Sequence, residues 1–404
     1  MNRMIFHMAA ILLLVHPFLT APAAAYTFDY IAPTDGGCPQ PGRHDLSPGA
    51  SITRQWSTSL PALPSIITAN APGTAAQLNE IEATIAKSFS IWTGVTGTLL
   101  NASTNPNALA PITRTDTQNA CSDDQDIDVD GTNTICFNQS SSAFAFGVLA
   151  FTRVITADAP GISVGGSAPS TFAGEILDAD ICFRNDGQAQ FATPKILANR
   201  PSAYDLESLL AHELGHLFGL DHSGIWRALM FPFGPVPGTF LGSRVSAQSP
   251  DAPLANDDRI GLRELYPDAS VSTDSGVISG RVLPANPFAL AAFPPPSPGQ
   301  FVTGIFGAHV VAFDADSGAV IAGTFGGWSC DPANPVVLFD GSYRIGHLPV
   351  GHNYKIYAEP FDRAVQAGDV SNVTAGLCLG SVSLACTAPP VNTNFAERVQ
   401  PASP

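Results

Sequence analysis

Lysine is nearly missing from this sequence. Three stand among 404 residues, and lysine and arginine together number 18 against 34 aspartates and glutamates. The formal net charge of −16 leaves no basic stripe for a polyanion, which excludes nucleic acid and an anionic membrane surface as partners. Long apolar runs are equally scarce. The one candidate, around Ile5 to Leu19, is interrupted by His7, His16 and Pro17, and no later stretch offers the roughly 20 apolar residues a membrane-crossing helix needs. Cysteine is sparse and odd in number: Cys38, Cys121, Cys136 and Cys182 come early, Cys330, Cys378 and Cys386 late. Complete pairing is therefore excluded. Spacing suggests the local pairs Cys121–Cys136 and Cys378–Cys386 without fixing the connectivity.

What is present first is a leader. Arg3, the apolar run and Ala23-Ala24-Ala25 before Tyr26 read as a secretory signal peptide over residues 1–25 with an A-x-A cleavage site. The alternative, an uncleaved anchor, is disfavoured by the interrupting histidines and prolines, so no stable membrane anchor is expected after cleavage. Export places the protein outside the cell, with periplasmic transit allowed, and permits disulfides. With 45% hydrophobic residues the chain can fill two cores.

The chemistry concentrates in Ala211-His212-Glu213-Leu214-Gly215-His216-Leu217-Phe218-Gly219-Leu220-Asp221-His222, with Met230 eight residues further on. Histidines four apart share one helix face, near enough to grip one zinc ion. Were the helix to continue, His222 would lie about 9 Å beyond His216 along the axis, out of reach. Gly219 supplies the bend, because glycine takes positive φ cheaply and commonly ends helices. Three neutral imidazoles leave one zinc position open for water, the catalytic arrangement. Glu213 is placed to act as general base toward that water. Chance yields H-E-x-x-H-x-x-G-x-x-H about once in a hundred thousand chains of this composition. The competing readings are histidines that merely fill a core, or a metal site without catalysis.

This H-E-x-x-H-x-x-G-x-x-H motif with its methionine resembles the metzincin signature. His222-Ser223 and Ala228-Leu229-Met230-Phe231-Pro232 resemble the matrixin branch, as does Asp257-Asp258-Arg259-Ile260-Gly261-Leu262 through Leu265-Tyr266. The resemblance implies an α+β catalytic domain, a mixed sheet with long helices, and zinc-dependent endopeptidase activity. It carries over His212, His216 and His222 as ligands, Glu213 as base and Met230 as the apolar floor beneath the metal. It also implies that the segment after Met230 walls the pocket for the residue following the scissile bond, here with Phe231 and Phe233. A narrower rival takes Glu264 as third ligand in place of His222, as in gluzincins.

The rest of the catalytic region follows in order. Thr74 is placed to cap a helix to Trp92, whose Leu78, Ile81, Ile85, Phe89 and Trp92 form one apolar stripe. Asp126, Asp128 and Asp130 sit at alternate positions before Gly131 and could hold Ca²⁺, although position twelve is Phe137 and the loop is no EF-hand. A solvated acidic turn is the competing reading. Strands are expected at Thr132–Asn138, Ala145–Thr156 and Glu175–Phe183. By the metzincin comparison, Ala145–Thr156 is the edge that docks extended peptide. Matrixins also carry a structural zinc held by upstream histidines, but only His44 lies between leader and motif. The motif helix is expected from Asp205, as cap, to about Phe218.

Beyond a polar linker at residues 267–275 the pattern becomes all-β. Short runs at Val277–Val282, Ala308–Phe313, Tyr343–Ile345 and Tyr354–Ala358 with Gly, Pro and Asp turns indicate a sandwich. Gly341 to Gly351 resembles the carboxypeptidase-regulatory-like, transthyretin-like domains. The organisation expected is a leader 1–25, a zinc peptidase domain 26–266, the linker, and a sandwich over 276–398. The function expected is a secreted, monomeric zinc endopeptidase acting on protein or peptide. The alternative is an adhesion or carbohydrate-binding protein whose protease domain has degenerated.

Overall fold

The computed structural model describes residues 5–10, 28, 30–58, 66–115, 129–139, 144, 147–234, 236–239, 253–285, 302–360 and 398–401. Its N-terminal half is built on a mixed sheet of six strands. Their order is Ile5–Ala10, Ala150–Thr156, Ile176–Arg184, Thr134–Gln139, Gln55–Ser57 and Thr113–Thr115. Ala150–Thr156 runs antiparallel to both of its neighbours, and the remaining pairs are parallel. Ile5–Ala10 thus lies along the strand expected to be the sheet's edge.

Two long helices pack on this sheet. The first, Ala75–Thr93, begins where Thr74 Oγ1 accepts the Gln77 N–H at 3.2 Å, an N-cap of the expected kind. Ile81, Ile85, Phe89 and Trp92 of its stripe are buried. The second is the motif helix, Leu206–Leu217. Between them and the sheet lies a core that includes Trp56, Phe137, Phe183, Phe191 and Phe218.

Along Ile176–Arg184, Leu177, Ala179, Ile181 and Phe183 alternate with Asp178, Asp180 and Cys182, yet all nine positions are buried. Asp178 Oδ2 accepts the N–H groups of Asp130 and Gly131 at 3.0 and 3.3 Å, and Asp180 Oδ1 accepts that of Thr134 at 2.9 Å. The acidic face is covered by backbone rather than by water.

After the helix Asn256–Leu265 and the short helix Val271–Asp274, the described elements are strands. Ser275–Arg281 pairs with Ser342–Pro349. Val320–Gly326, Ala308–Asp314, Tyr354–Pro360 and Arg398–Pro401 form a four-stranded antiparallel sheet in that order. Ile305, Ile321, Ile345 and Leu348 belong to the same continuous apolar cluster as Phe218, Leu262 and Leu265. The β-rich region and the zinc-motif region therefore share a core. Cys38 and Cys330, 292 residues apart, are joined by a disulfide, and Tyr30 meets Trp328 edge-on at 5.0 Å between ring centroids. Cys136 is a buried thiol, so the expected Cys121–Cys136 bridge is not formed; Cys136 stands opposite Cys182 in the strand register, and Cys182 is itself disulfide-bonded. Cys121, Cys378 and Cys386 lie outside the described residues.

Candidate metal centre

The motif helix is buried along its whole length. Asp205 Oδ2 caps it by accepting the Ser208 N–H at 3.0 Å. The first helix fixes its position through Trp92 Nε1, which donates to Ala211 O at 2.8 Å, and Ser88 Oγ, which donates to Glu207 O at 3.2 Å. At the far end Gly219 takes φ of 95°. Its N–H donates to His216 O at 2.8 Å and that of Leu220 to Gly215 O at 3.0 Å, the paired bonds of a Schellman stop. A Cβ at this position would also collide with the Gly42 carbonyl. The carbonyls of Leu217 and Phe218 accept from His44 Nε2 and Tyr266 Oη, each at 2.9 Å. His44 thus serves the helix end.

The bend delivers His222 to the other two histidines. Ring centroids lie 4.9 Å apart for His212–His216, 5.4 Å for His212–His222 and 4.9 Å for His216–His222. One ligand atom from each falls within 4.8 Å of the others. His212 Nδ1 bonds Leu229 O and His216 Nδ1 bonds Leu220 O, both at 2.7 Å. A carbonyl can only accept, so each Nδ1 carries the proton and each Nε2 presents its lone pair. Burial, reinforced by the neighbouring imidazoles, pushes His216 well below its ordinary pKa. Burial and His212 bring His222 down to about 3. His216 and His222 are therefore neutral at neutral pH, the metal-binding form.

The residues present fit a zinc ion. Buried His216 Nε2 has no hydrogen-bond partner among the described residues, and an unmet acceptor in an apolar interior is costly. Three neutral imidazoles are also a zinc donor set with a fourth position open.

Glu213 lies on the same helix. Its Oε2 accepts from Thr152 Oγ1 at 2.7 Å, while Oε1 has no partner among the described residues. Burial pushes its carboxyl up to about 8, against the opposing pull of the Thr152 bond. Met230 is buried and fills the space beside Gly215, where a Cβ would strike its Sδ. Asp258 holds the turn carrying Met230 by accepting the Leu229 and Met230 N–H groups at 2.8 and 3.0 Å. Phe231 is buried and Phe233 half-buried, 5.5 Å apart. Exposed Trp226 meets Phe231 at 5.0 Å, adding a third ring that the sequence did not single out.

Other expected residues fall elsewhere. Glu264 pairs with Arg344 and with His347 and lies outside the histidine cluster. Asp126 and Asp128 are outside the described residues, and Asp130 approaches Asp178 through its backbone N–H. Thr152, Asp257 and Asp258 were given no role by sequence. Only the acidic pair opening the helix Asn256–Leu265 offered a signal.

A sequence model of Matrixin (Peptidase_M10) matches residues 66–267, half of the chain. The chain belongs to the matrixin family. Its mixed sheet and helices are those of the α+β metzincin fold. Three plant proteins are similar over the matrixin region. Metalloendoproteinase 1 of Glycine max is 48% identical over 65 residues, 16% of this chain and 18% of that protein. Metalloendoproteinase 5-MMP of Arabidopsis thaliana is 40% identical over 62 residues, 15% and 14% of the two chains. Metalloendoproteinase 2-MMP of the same plant is 35% identical over 65 residues, 16% and 14%. This matrixin thus matches under a fifth of each relative's length.

Proposed function

We propose that this matrixin is a secreted zinc-dependent endopeptidase. The observation carrying the reading is the convergence of three buried imidazoles, His212, His216 and His222, beside the buried carboxyl group of Glu213 on the same helix. Bound there, zinc supplies Lewis acidity toward the scissile carbonyl and lowers the pKa of water toward 7. His212, His216 and His222 hold the ion, and Met230 floors the site. With a cation in the site to favour its ionised form, Glu213 would take a proton from water at Oε1 and return it to the leaving amine, while Thr152 holds Oε2.

Extended peptide docks along Ala150–Thr156 by strand addition. The pairing of that strand with Ile5–Ala10, in register from Ile5 opposite Thr156 to Ala10 opposite Phe151, supports this. Phe231 and Phe233, with Trp226, form an apolar wall that favours bulky apolar side chains after the scissile bond. Export is supported by the leader over residues 1–25 and by the Cys38–Cys330 disulfide. Among the described residues no helix is long and apolar enough to cross a membrane. We assign the peptidase domain to residues 26–266, a linker to 267–275 and a transthyretin-like sandwich to 276–398, and take the protein to act as a monomer.

Glu213→Ala tests the reading. Peptide hydrolysis vanishes while one zinc per chain stays bound. Unchanged hydrolysis in that variant defeats the assigned mechanism, and hydrolysis absent from the zinc-loaded parent chain defeats the function.

A further inference from the structure

We propose that the C-terminal β-rich region is a working part of the zinc-site scaffold, reaching the His222 loop through the Asp257 carboxylate. The inference rests on the zinc-site reading above. Asp257 is the second residue of the helix Asn256–Leu265 and is buried. Its Oδ2 accepts from Ser223 Oγ at 2.7 Å, and its Oδ1 accepts the Gly323 N–H at 2.9 Å. Ser223 follows His222 directly, and its own N–H donates to Met230 O at 2.8 Å. One carboxylate therefore joins the loop that carries the third imidazole to a strand 100 residues downstream of it, and Ser223 ties that loop to the turn that floors the site.

The strand is suited to the task. Val320–Gly326 lies at the margin of its sheet, with Ala308–Asp314 as its sheet neighbour among the described residues. Gly323 stands opposite Val311 and aims its N–H out of the sheet at Asp257. A margin strand has backbone donors to spare, and here one is spent on an internal carboxylate. The opposite end of the same helix is gripped separately, by Arg344 and His347 on Glu264. Partners that orient a ligand loop govern metal affinity nearly as strongly as the ligands do. Asp257 is a positioning residue, and the Gly323 amide is its anchor.

Zinc affinity of the full chain, measured by competition with a chromophoric chelator, tests this together with the visible spectrum of the Co²⁺-substituted protein. Asp257→Asn weakens zinc binding about tenfold or more and alters the cobalt bands. Gly323→Pro removes the N–H and weakens zinc at least about threefold, with far-UV circular dichroism checking that the fold is retained. Arg344→Ala lowers the melting temperature and leaves zinc affinity alone. A Gly323→Pro chain with parental affinity and spectrum overturns the inference, as does an equal loss in Arg344→Ala, which would signal general docking. A second measurement needs no Gly323 variant. Zinc loading slows hydrogen exchange at the Gly323 amide severalfold in the parent chain but not in Asp257→Asn, since coupling between sites is reciprocal. Exchange indifferent to zinc refutes the link. Failure of the parent chain to bind zinc would instead refute the underlying site.

Discussion

The hydroxyl of Thr152 lies 2.7 Å from Oε2 of Glu213, joining the strand Ala150–Thr156, the proposed substrate rail, to the carboxyl group on the motif helix. The same hydroxyl is 3.1 Å from the Glu213 carbonyl oxygen. Both residues are buried, so no water replaces the bond if it is lost. Thr152→Val keeps the shape and removes the donor. A net hydrogen bond to a charged group is worth about 1.5–3 kcal/mol, so kcat should fall by about one to two orders of magnitude. KM and zinc content stay near parental values, because Thr152 touches neither the metal ligands' Nδ1 bonds nor the pocket rings. Steady-state kinetics with metal analysis decide it, and an unchanged kcat would remove Thr152 from the site.

Gly219 is the hinge on which the third ligand depends. Its φ of 95° costs a residue with a Cβ roughly 1–2 kcal/mol, and that Cβ would strike the Gly42 carbonyl. Relief requires His222 or the Gly42 segment to move. Gly219→Ala should therefore bind zinc at least about tenfold more weakly than the parent while retaining its helical far-UV signal. Parental zinc affinity in this variant would show that the bend tolerates a side chain.

The local grammar of this chain is open to reading, and its long-range grammar is not. Thr74 and Asp205 announce their helices because capping is decided within three residues, and Gly219 announces its stop for the same reason. The Glu213–Thr152 contact joins residues 61 apart, and nothing in either neighbourhood signals it. Cys38 and Cys330 show the same limit: spacing favours local pairs, and the fold joins cysteines 292 residues apart. Asp178 and Asp180 reach backbone amides of Asp130, Gly131 and Thr134, contacts that no local pattern announces. His309, His347 and His352 each pair with a different carboxylate, Glu359, Glu264 and Asp314 respectively.

The buried acids make a pH prediction. Burial, with Asp130 adding to it, pushes Asp178 up to about 7, and burial with Asp178 raises Asp180 well above the usual carboxylate range. A raised pKa in the fold means that the folded chain binds more protons than the unfolded one between pH 4 and 7, so stability falls as pH rises through that window. Buried His44, His216, His222 and His309, whose pKa values are lowered, act in the opposite sense, so the acids are read by difference. In calcium-free buffer the parent should lose melting temperature relative to Asp178→Asn as pH rises from 4.5 to 7.5. Added Ca²⁺ raises the melting temperature more at pH 7.5 than at pH 4.5 if the acidic turn that includes Asp130 holds a cation. Equal stabilisation at both pH values argues for the solvated turn instead.

Removal of residues 1–25 should open the proposed substrate rail. Ile5–Ala10 pairs with six consecutive residues of the neighbouring strand, Phe151 to Thr156, and thereby occupies the backbone donors and acceptors that strand addition by a peptide requires. A chain beginning at Tyr26 frees them. Because the segment competes for binding and leaves Glu213 and the histidines untouched, its loss should lower KM for an extended peptide by about tenfold or more with little change in kcat. That split follows from removing ground-state competition alone. A synthetic peptide copying residues 5–10 should in turn inhibit the shortened chain competitively. Identical KM values for the two chains would mean that substrate docks away from Ala150–Thr156, and the rail would have to be sought elsewhere on the sheet.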